Sequence, residues 1–285
     1  MKSRWIVNLL LVLATAVLLL IVYFEPGIDE PAEAPAITSL TKDQLHRIHL
    51  NRPLRDDLVL VKKGTGQWII QHTPELPADD YQANALHRLA EQKAVRSYAA
   101  SELDLGQLQL EPPNATAALN DTVVEFGNLD PLEGLRYVRV ADQVHLIPDL
   151  YLQLMQASYT QFVRRRLLDD NTRIDRIVLP DFSINRTDQG WTVDPPQEVS
   201  ADNLQQFVDR WQAAAALHIQ AADTVTEGES VELVRAGGVP SINFVISARE
   251  PELVLARPDL GVQYRMGDLG GSLLSLTPAA PAAPE

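Results

Sequence analysis

The sequence predicts an α+β protein with a single N-terminal transmembrane helix and two tandem, similar units of mostly antiparallel sheet, each with one main helix. Three observations lead there. The run Ile6 to Phe24 is apolar and uncharged over nineteen residues, broken only by the amide of Asn8. Beyond it, short alternating or apolar runs bounded by turn residues read as strands. Finally, Trp68 recurs as Trp191 at a spacing of 123, and Ala78-Asp79 recurs as Ala201-Asp202 at the same spacing.

As a helix, residues 6–24 span about 28 Å, close to the thickness of the bilayer hydrocarbon. Lys2 and Arg4 precede the run, while Glu25, Asp29, Glu30 and Glu33 follow it, and no base reappears before Lys42. The positive-inside bias therefore leaves residues 1–5 in the cytoplasm and exports the remainder. The apolar stretch exceeds the usual signal-peptide core, and its one Ala-x-Ala candidate, Ala32-Glu33-Ala34, is followed by Pro35. An uncleaved anchor is expected. With no cysteine, a lipoprotein anchor, disulfides and thiolate metal sites are all excluded. A bacterial envelope suits such a chain, with the body periplasmic and the anchor in the inner membrane.

Residues 25–37, rich in proline and acids, read as an extended stalk, and 277–285 as a disordered Pro/Ala tail. The first unit then covers 38–168 and the second 169–276. The chain carries −14 overall; outside Lys2 and Arg4 there are 22 bases against 38 acids, a net −16. That charge disfavours nucleic acid and anionic headgroups by repulsion.

In the first unit, strands are expected at Ile48–Leu50, Leu58–Val61 and Trp68–Ile70, with Gly64-Thr-Gly66 as a turn. A helix follows from Pro77-Ala78-Asp79-Asp80 to about Glu91, with Tyr81, Ala85, Leu86 and Leu89 at helical spacing. Three more strands are expected at Thr122–Phe126, Leu135–Val140 and Gln143–Ile147. A joining helix from Pro148-Asp149 to Arg166 then connects the units, with Asp149 as its N-cap. The second unit repeats the plan with strands at Ile177–Leu179, Phe182–Ile184 and Trp191–Val193. Its helix starts at Ser200 and buries Leu204, Phe207, Val208 and Trp211. Strands at Val231–Val234, Ser241–Ser247, Glu252–Ala256 and Val262–Met266 complete it.

These residues carry a resemblance. A hairpin ending in Gly-x-x-Trp or Gly-x-Trp before Pro-Ala-Asp and a helix resembles the bacterial domain-of-unknown-function family 4340. Phe126-Gly127, Gly134-x-x-Tyr137-Val138 and the Arg-rich joint Val163-Arg-Arg-Arg-Leu-Leu168 add to it. The likeness covers about residues 38–220 and is looser in the second half, which has Val199-Ser-Ala-Asp202 and lacks Phe-Gly. It implies an envelope-associated, often single-pass protein, in some cases beside ABC-transport components. It supplies no catalytic residue.

Candidate chemistry is sparse. His46 and His49 would share a metal only on a helix, and the segment alternates as a strand from Ile48. Ser39-x-x-Lys42 lacks the Ser-Asp-Asn and Lys-Thr-Gly partners of an acyltransferase, so Ser39 or Thr41 is better taken as a cap. Gly64-Thr-Gly66 and Gly267-Asp-Leu-Gly-Gly271 lack the strand–loop–helix order and lysine of a phosphate loop. Asp79/Asp80 suits a helix start, and Asp169/Asp170 compensates Arg164-Arg165-Arg166. Trp68 and Trp191 are expected in the core. No catalytic residue, cofactor or metal site is therefore assigned. Arg164, Arg165 and Arg166, the one basic cluster, could meet a partner's acidic patch. The expected role is a non-catalytic scaffold or accessory partner of another envelope protein, such as a transporter component. The alternative is a small-molecule or glycan binder with its ligand between the two units.

Overall fold

A computed structural model describes residues 2–24, 35–53, 55–64, 66–222 and 228–276. Helix α1 runs Lys2–Phe24. Counted over the residues with described side chains, no helix is long and apolar enough to cross a membrane. The backbone of α1 is nonetheless helical over 23 residues, and the side chains of Val7 and residues 21–24 fall outside that count.

Two antiparallel sheets form the body. The first unit contributes β1 (Arg47–Asn51), β2 (Leu58–Lys62), β3 (Trp68–Ile70) and β4 (Leu76–Pro77). Helix α2 (Asp80–Ala90) follows, then β5 (Arg96–Ala99), β6 (Ala115–Leu119), β7 (Thr122–Leu129), β8 (Leu135–Val140) and β9 (Gln143–Pro148). Their order in the sheet is β4-β3-β2-β1-β6-β7-β8-β9-β5. After the short helix α3 (Leu152–Met155), the second unit contributes β10 (Ile174–Val178), β11 (Ser183–Thr187), β12 (Gly190–Asp194) and α4 (Ala201–Ala213). It ends with β13 (His218–Ala221), β14 (Glu229–Arg235), β15 (Ile242–Ala248), β16 (Val254–Arg257) and β17 (Val262–Arg265). Their order is β12-β11-β10-β14-β15-β16-β17-β13.

The two orders are the same permutation, with β4 added in the first. One register break also corresponds: β7 shifts between Phe126 and Leu129 against β8, and β15 between Ile246 and Ala248 against β16, whereas the shift between Ile174 and Arg176 on β10 has no counterpart on β1. The repeat expected from two tryptophans is therefore a repeat of topology.

In each unit the main helix links one sheet edge to the other. An eleven-residue helix covers about 16 Å. Nine strands laid flat would span about 38 Å, so the sheet must curl for α2 to cover its apolar face. The bulges on β7 and β15 supply local bending.

Capping follows the local chemistry. Asp79 accepts from the backbone N–H of Tyr81 (3.0 Å) and Gln82 (3.1 Å) at the start of α2, and Ser200 accepts from Asn203 N–H (3.2 Å) at the start of α4. Each satisfies one or two of the donors a helix start leaves unpaired. The buried face of α4 is the expected Leu204, Phe207, Val208 and Trp211. That of α2 is rotated: Ala83, Leu86, His87, Leu89 and Ala90 are buried, while Tyr81 is 69% exposed. Trp68 and Trp191 both sit in the core. Strands β4, β5, β6 and β13 lie outside the sequence expectation, β4 at Pro77, where the sequence predicts a helix start. β6 (Ala-Thr-Ala-Ala-Leu) alternates in burial, but its alanines carry a weak strand signal.

The joining helix is the main correction. Only Leu152–Met155 is α-helical, followed by a 3-10 turn at Tyr159–Phe162 and an extended chain. Asp149 caps nothing; its carboxylate is taken by Arg136. Ser158 caps the following 3-10 turn, its hydroxyl accepting from Thr160 N–H at 3.4 Å. Beyond it, tertiary pairing overrides helical propensity. Arg164 N–H donates to Pro77 O (2.8 Å), and Val163 bridges Ala78. On the other side Leu167 N–H donates to Ala214 O (3.0 Å), and Ala216 N–H donates to Arg165 O (2.8 Å).

The last pair of bonds has a counterpart at the front of the first unit. Ile37 N–H donates to Gln92 O (2.8 Å) and Ala94 N–H to Pro35 O (3.0 Å), so residues 35–37 pair with their unit as 165–167 do with theirs. Buried side chains from Ile37 to Leu276 form one continuous core across both units.

Two histidines lie in this core. His87 donates through Nε2–H to Lys42 O at 2.6 Å, and its buried Nδ1 meets no partner among the described residues. His145 meets Ser97 Oγ through Nδ1 at 2.8 Å. Burial is the main cause lowering both below the ordinary value of 6.5. The unfolded chain thus binds protons first, so stability is complete above about pH 6.5 and falls as pH drops through the unfolded value. Thermal melting between about pH 7.5 and about pH 5 should show Tm falling with acidity, and His145→Gln should flatten the slope.

Candidate functional site

The three consecutive arginines lie in the extended joint. Arg164 pairs with Asp169, Arg166 with Asp170 at 2.7 Å, and Arg165 approaches Asp79 at 3.8 Å. The compensation expected of Asp169/Asp170 is present, along a strand rather than at a helix end. A cavity of about 600 Å³ lies here between the units, lined by Asp79, Asp80, Tyr81, the arginines, Ala215 and Ala216. Its cations are already engaged by carboxylates, Arg165 most loosely and with its side chain 56% exposed.

The other sequence candidates are structural. Thr41 precedes a 3-10 turn (Lys42–Gln44), and its N–H donates to Gln44 Oε1 at 3.0 Å. His49 is on β1 and meets Asp57 at 2.8 Å; that hydrogen bond is the main reason the Asp57 carboxyl lies below its usual range. His46 precedes the strand, and among the described residues no three His, Asp, Glu or Cys side chains cluster as metal ligands. Gly64 and Gly66 sit in the β2–β3 turn, and Gly267–Leu273 forms a 3-10 turn after β17.

What the sequence analysis did not find is a cleft walled by three loops of the first unit. Residues 52–57 join β1 to β2, 100–114 join β5 to β6, and 149–161 carry α3 and the following 3-10 turn. The cleft holds about 530 Å³ and is lined by Arg52, Arg55, Asn114, Gln153, Gln156 and Gln161, among others.

Two buried arginines hold these walls. The guanidinium of Arg52 donates through Nε to Asp56 O (2.9 Å) and through an Nη to Ala157 O (2.7 Å), with a further bond to Met155 O at 3.4 Å. It therefore ties the 52–57 loop to the 149–161 loop using backbone carbonyls alone. Burial, and then the neighbouring Arg55, lower its proton affinity. Arg136 on β8 donates to both carboxylate oxygens of Asp149 (2.5 and 3.0 Å) and to Gly127 O (2.6 Å). A two-pronged pair of this kind fixes direction as well as distance. It anchors the start of the 149–161 loop to the bulge of β7.

The Phe-Gly motif belongs to the same construction. A Cβ on Gly127 would stand 2.3 Å from Leu108 O and 3.0 Å from the Leu110 side chain. Without it, Asn128 N–H donates to Leu108 O at 2.8 Å and the 100–114 loop lies flat on β7. Glu111 in that loop is neutralised by Arg139 at 3.0 Å, which also binds Glu125. A sequence signal existed for this part: a glycine inside a strand marks close backbone approach. Arg52 and the amides carried none, because no fixed spacing brings them together.

Gly127→Ala should lower stability by about 1–3 kcal/mol through overpacking, and limited proteolysis should then cut first within 100–114. Arg136→Ala, which strands Asp149 and Gly127 O, should cost about 3–5 kcal/mol, read from urea midpoints. Equal losses for Arg136→Ala and an exposed control such as Arg249→Ala would contradict the clamp.

A family model described as a domain of unknown function, DUF4340, matches residues 68–233. No curated protein and no solved structure matches the chain. The match begins at Trp68 on β3, takes in the Phe126-Gly127 bulge and the arginine joint, and ends on β14, more than half of the sequence. The chain belongs to the DUF4340 family.

Proposed function

We propose that this chain is a single-pass protein of a bacterial inner membrane, with α1 in the bilayer and the two-unit body in the periplasm. There it serves as a non-catalytic scaffold or accessory partner of another envelope protein, such as an ABC-transport component. The observation that carries the proposal is the uncovered apolar surface of α1. Leu9 to Leu13 and Val17 to Leu20 are all exposed, and the body lends them no cover. So large a contiguous apolar surface is costly in water and suits lipid. Lys2 and Arg4 at one end and four acids beyond the other orient it with the body outside.

Support for a non-catalytic role lies in how the reactive groups are occupied. Asp79 caps a helix, Asp149 and Glu111 neutralise arginines, and His49 holds Asp57. Arg165 is the cation of the joint that an acidic partner reaches most easily.

A periplasm-dependent reporter fused after Leu276 should be active, and Leu13→Arg with Leu18→Arg should release the chain from membranes. Each arginine adds about 2.5–3.5 kcal/mol to insertion at the helix centre. Activity of a cytosol-dependent reporter at that position would end the proposal. For the partner, cross-linking through position 165 in membranes should trap a stoichiometric envelope protein, and Arg165→Glu should weaken the capture.

A further inference from the structure

Three connections that meet at the cleft in the first unit are longer than their counterparts in the second, while the second is longer between β14 and β15 and between β16 and β17. The β1–β2 loop has six residues (52–57) against four (179–182) between β10 and β11. Between β5 and β6 the sequence runs fifteen residues (100–114), and between β13 and β14 it runs seven, of which Ala222 and Gly228 are described. The segment after β9 carries α3 and a 3-10 turn, where the segment after β17 carries a 3-10 turn only. Because both sheets share one strand permutation, the sheet itself needs none of this extra chain. All three additions meet at the cleft of about 530 Å³.

The chemistry of that cleft departs from the rest of the molecule. In a chain of net charge −14, its lining contains two arginines and no carboxylate. Arg52 is consumed in holding the walls. Arg55 is exposed, and no described residue bonds or pairs with its guanidinium. The side-chain amides of Asn114, Gln153, Gln156 and Gln161 are likewise unengaged by any described residue. The cleft continues into a hollow of about 770 Å³ that shares Pro53, Asn114 and Gln156 and is edged by Glu111, whose carboxylate pairs with Arg139. At the opposite end, a hollow sharing Arg52, Arg55 and Ser158 is lined by Asp56, Asp57 and by His72 stacked on Tyr159, ring centroids 5.0 Å apart, so the acid-free lining belongs to the central cleft alone.

Each feature narrows the ligand. A primary amide offers a donor and an acceptor side by side, which suits neighbouring hydroxyls on a sugar ring. A guanidinium matches a carboxylate with two parallel bonds. Bare phosphate is served poorly, since no helix of two turns or more directs its N-terminus into the cleft. The length of the channel favours a chain of several rings, and the His72–Tyr159 stack presents a flat face for one of them. We propose that this cleft binds an anionic oligosaccharide, with Arg55 holding a carboxylate and Asn114, Gln153, Gln156 and Gln161 holding ring hydroxyls. The site lies wholly within the first unit, so it stands whether or not the scaffold role does.

Full-length protein in detergent should be titrated calorimetrically with tetragalacturonate, with maltotetraose as the neutral arm and inorganic phosphate as competitor. Tetragalacturonate should bind, and maltotetraose should bind at least about tenfold more weakly, the worth of one charge-assisted pair. Arg55→Gln and Gln156→Ala should each weaken tetragalacturonate by a similar factor with unchanged Tm, and Arg55→Lys should restore part of the loss. Absence of tetragalacturonate binding, equal binding of maltotetraose, indifference to both substitutions, or displacement by phosphate at matching concentration would each overturn the assignment.

Discussion

The extended segment 163–167 carries the architecture, because its backbone is shared. One edge of it pairs with Pro77 and Ala78 of the first unit, and the other with Ala214 and Ala216 of the second. Backbone donors and acceptors in a buried joint must find partners, and here each unit supplies half of them. The side chains follow: Val163, Leu167 and Leu168 are buried in the core that runs through both units. A helix in this place would have satisfied its own backbone and left both sheet margins open. Two kindred units therefore behave as one packed body.

The repeated unit explains what the fold requires, and the departures from it show what has been added. Both sheets run in the same order around a single helix, and both bend at corresponding strands. Against that common plan the first unit's three enlarged loops stand out, together with the devices that hold them. Arg52 and Arg136 are the buried arginines among the described residues, and both act on these loops. Burying a guanidinium is costly unless its donors are met, so two such groups around one cleft indicate that its shape is maintained. Gly127 plays the complementary part by leaving room for the 100–114 loop.

Charge separates the surfaces of the molecule. Near the rim of the cleft, Glu111 pairs with Arg139 and Asp57 is hydrogen-bonded by His49 and Asn51, while Asp56 lines the adjoining hollow. The joint between the units follows the opposite rule, with each arginine set against an aspartate. The cleft joins amides and a guanidinium that no described residue engages. An acidic body of this kind repels polyanions at long range, and a local, acid-free pocket is what a short anionic ligand would need at contact distance.

Period and punctuation were readable from the chain alone. The apolar run of α1, the Trp68/Trp191 spacing, the capping Asp79 and Ser200, and the face of α4 all rest on neighbours a few residues apart. Local rules suffice for such features, and they are enough for the mostly antiparallel α+β class with two sheet units and for the repeat. Tertiary contacts decided the remainder. Residues 156–166 have the composition of a helix, yet they extend because two separated edges compete for their backbone. The polar strands β5 and β13 exist because β9 and β17 leave edges to be paired, and their own side chains give little strand signal. The cleft joins residues up to about a hundred positions apart, such as Arg52 and Ala157. Periodicity acts over a turn or a strand, so nothing in it could bring those loops to one place.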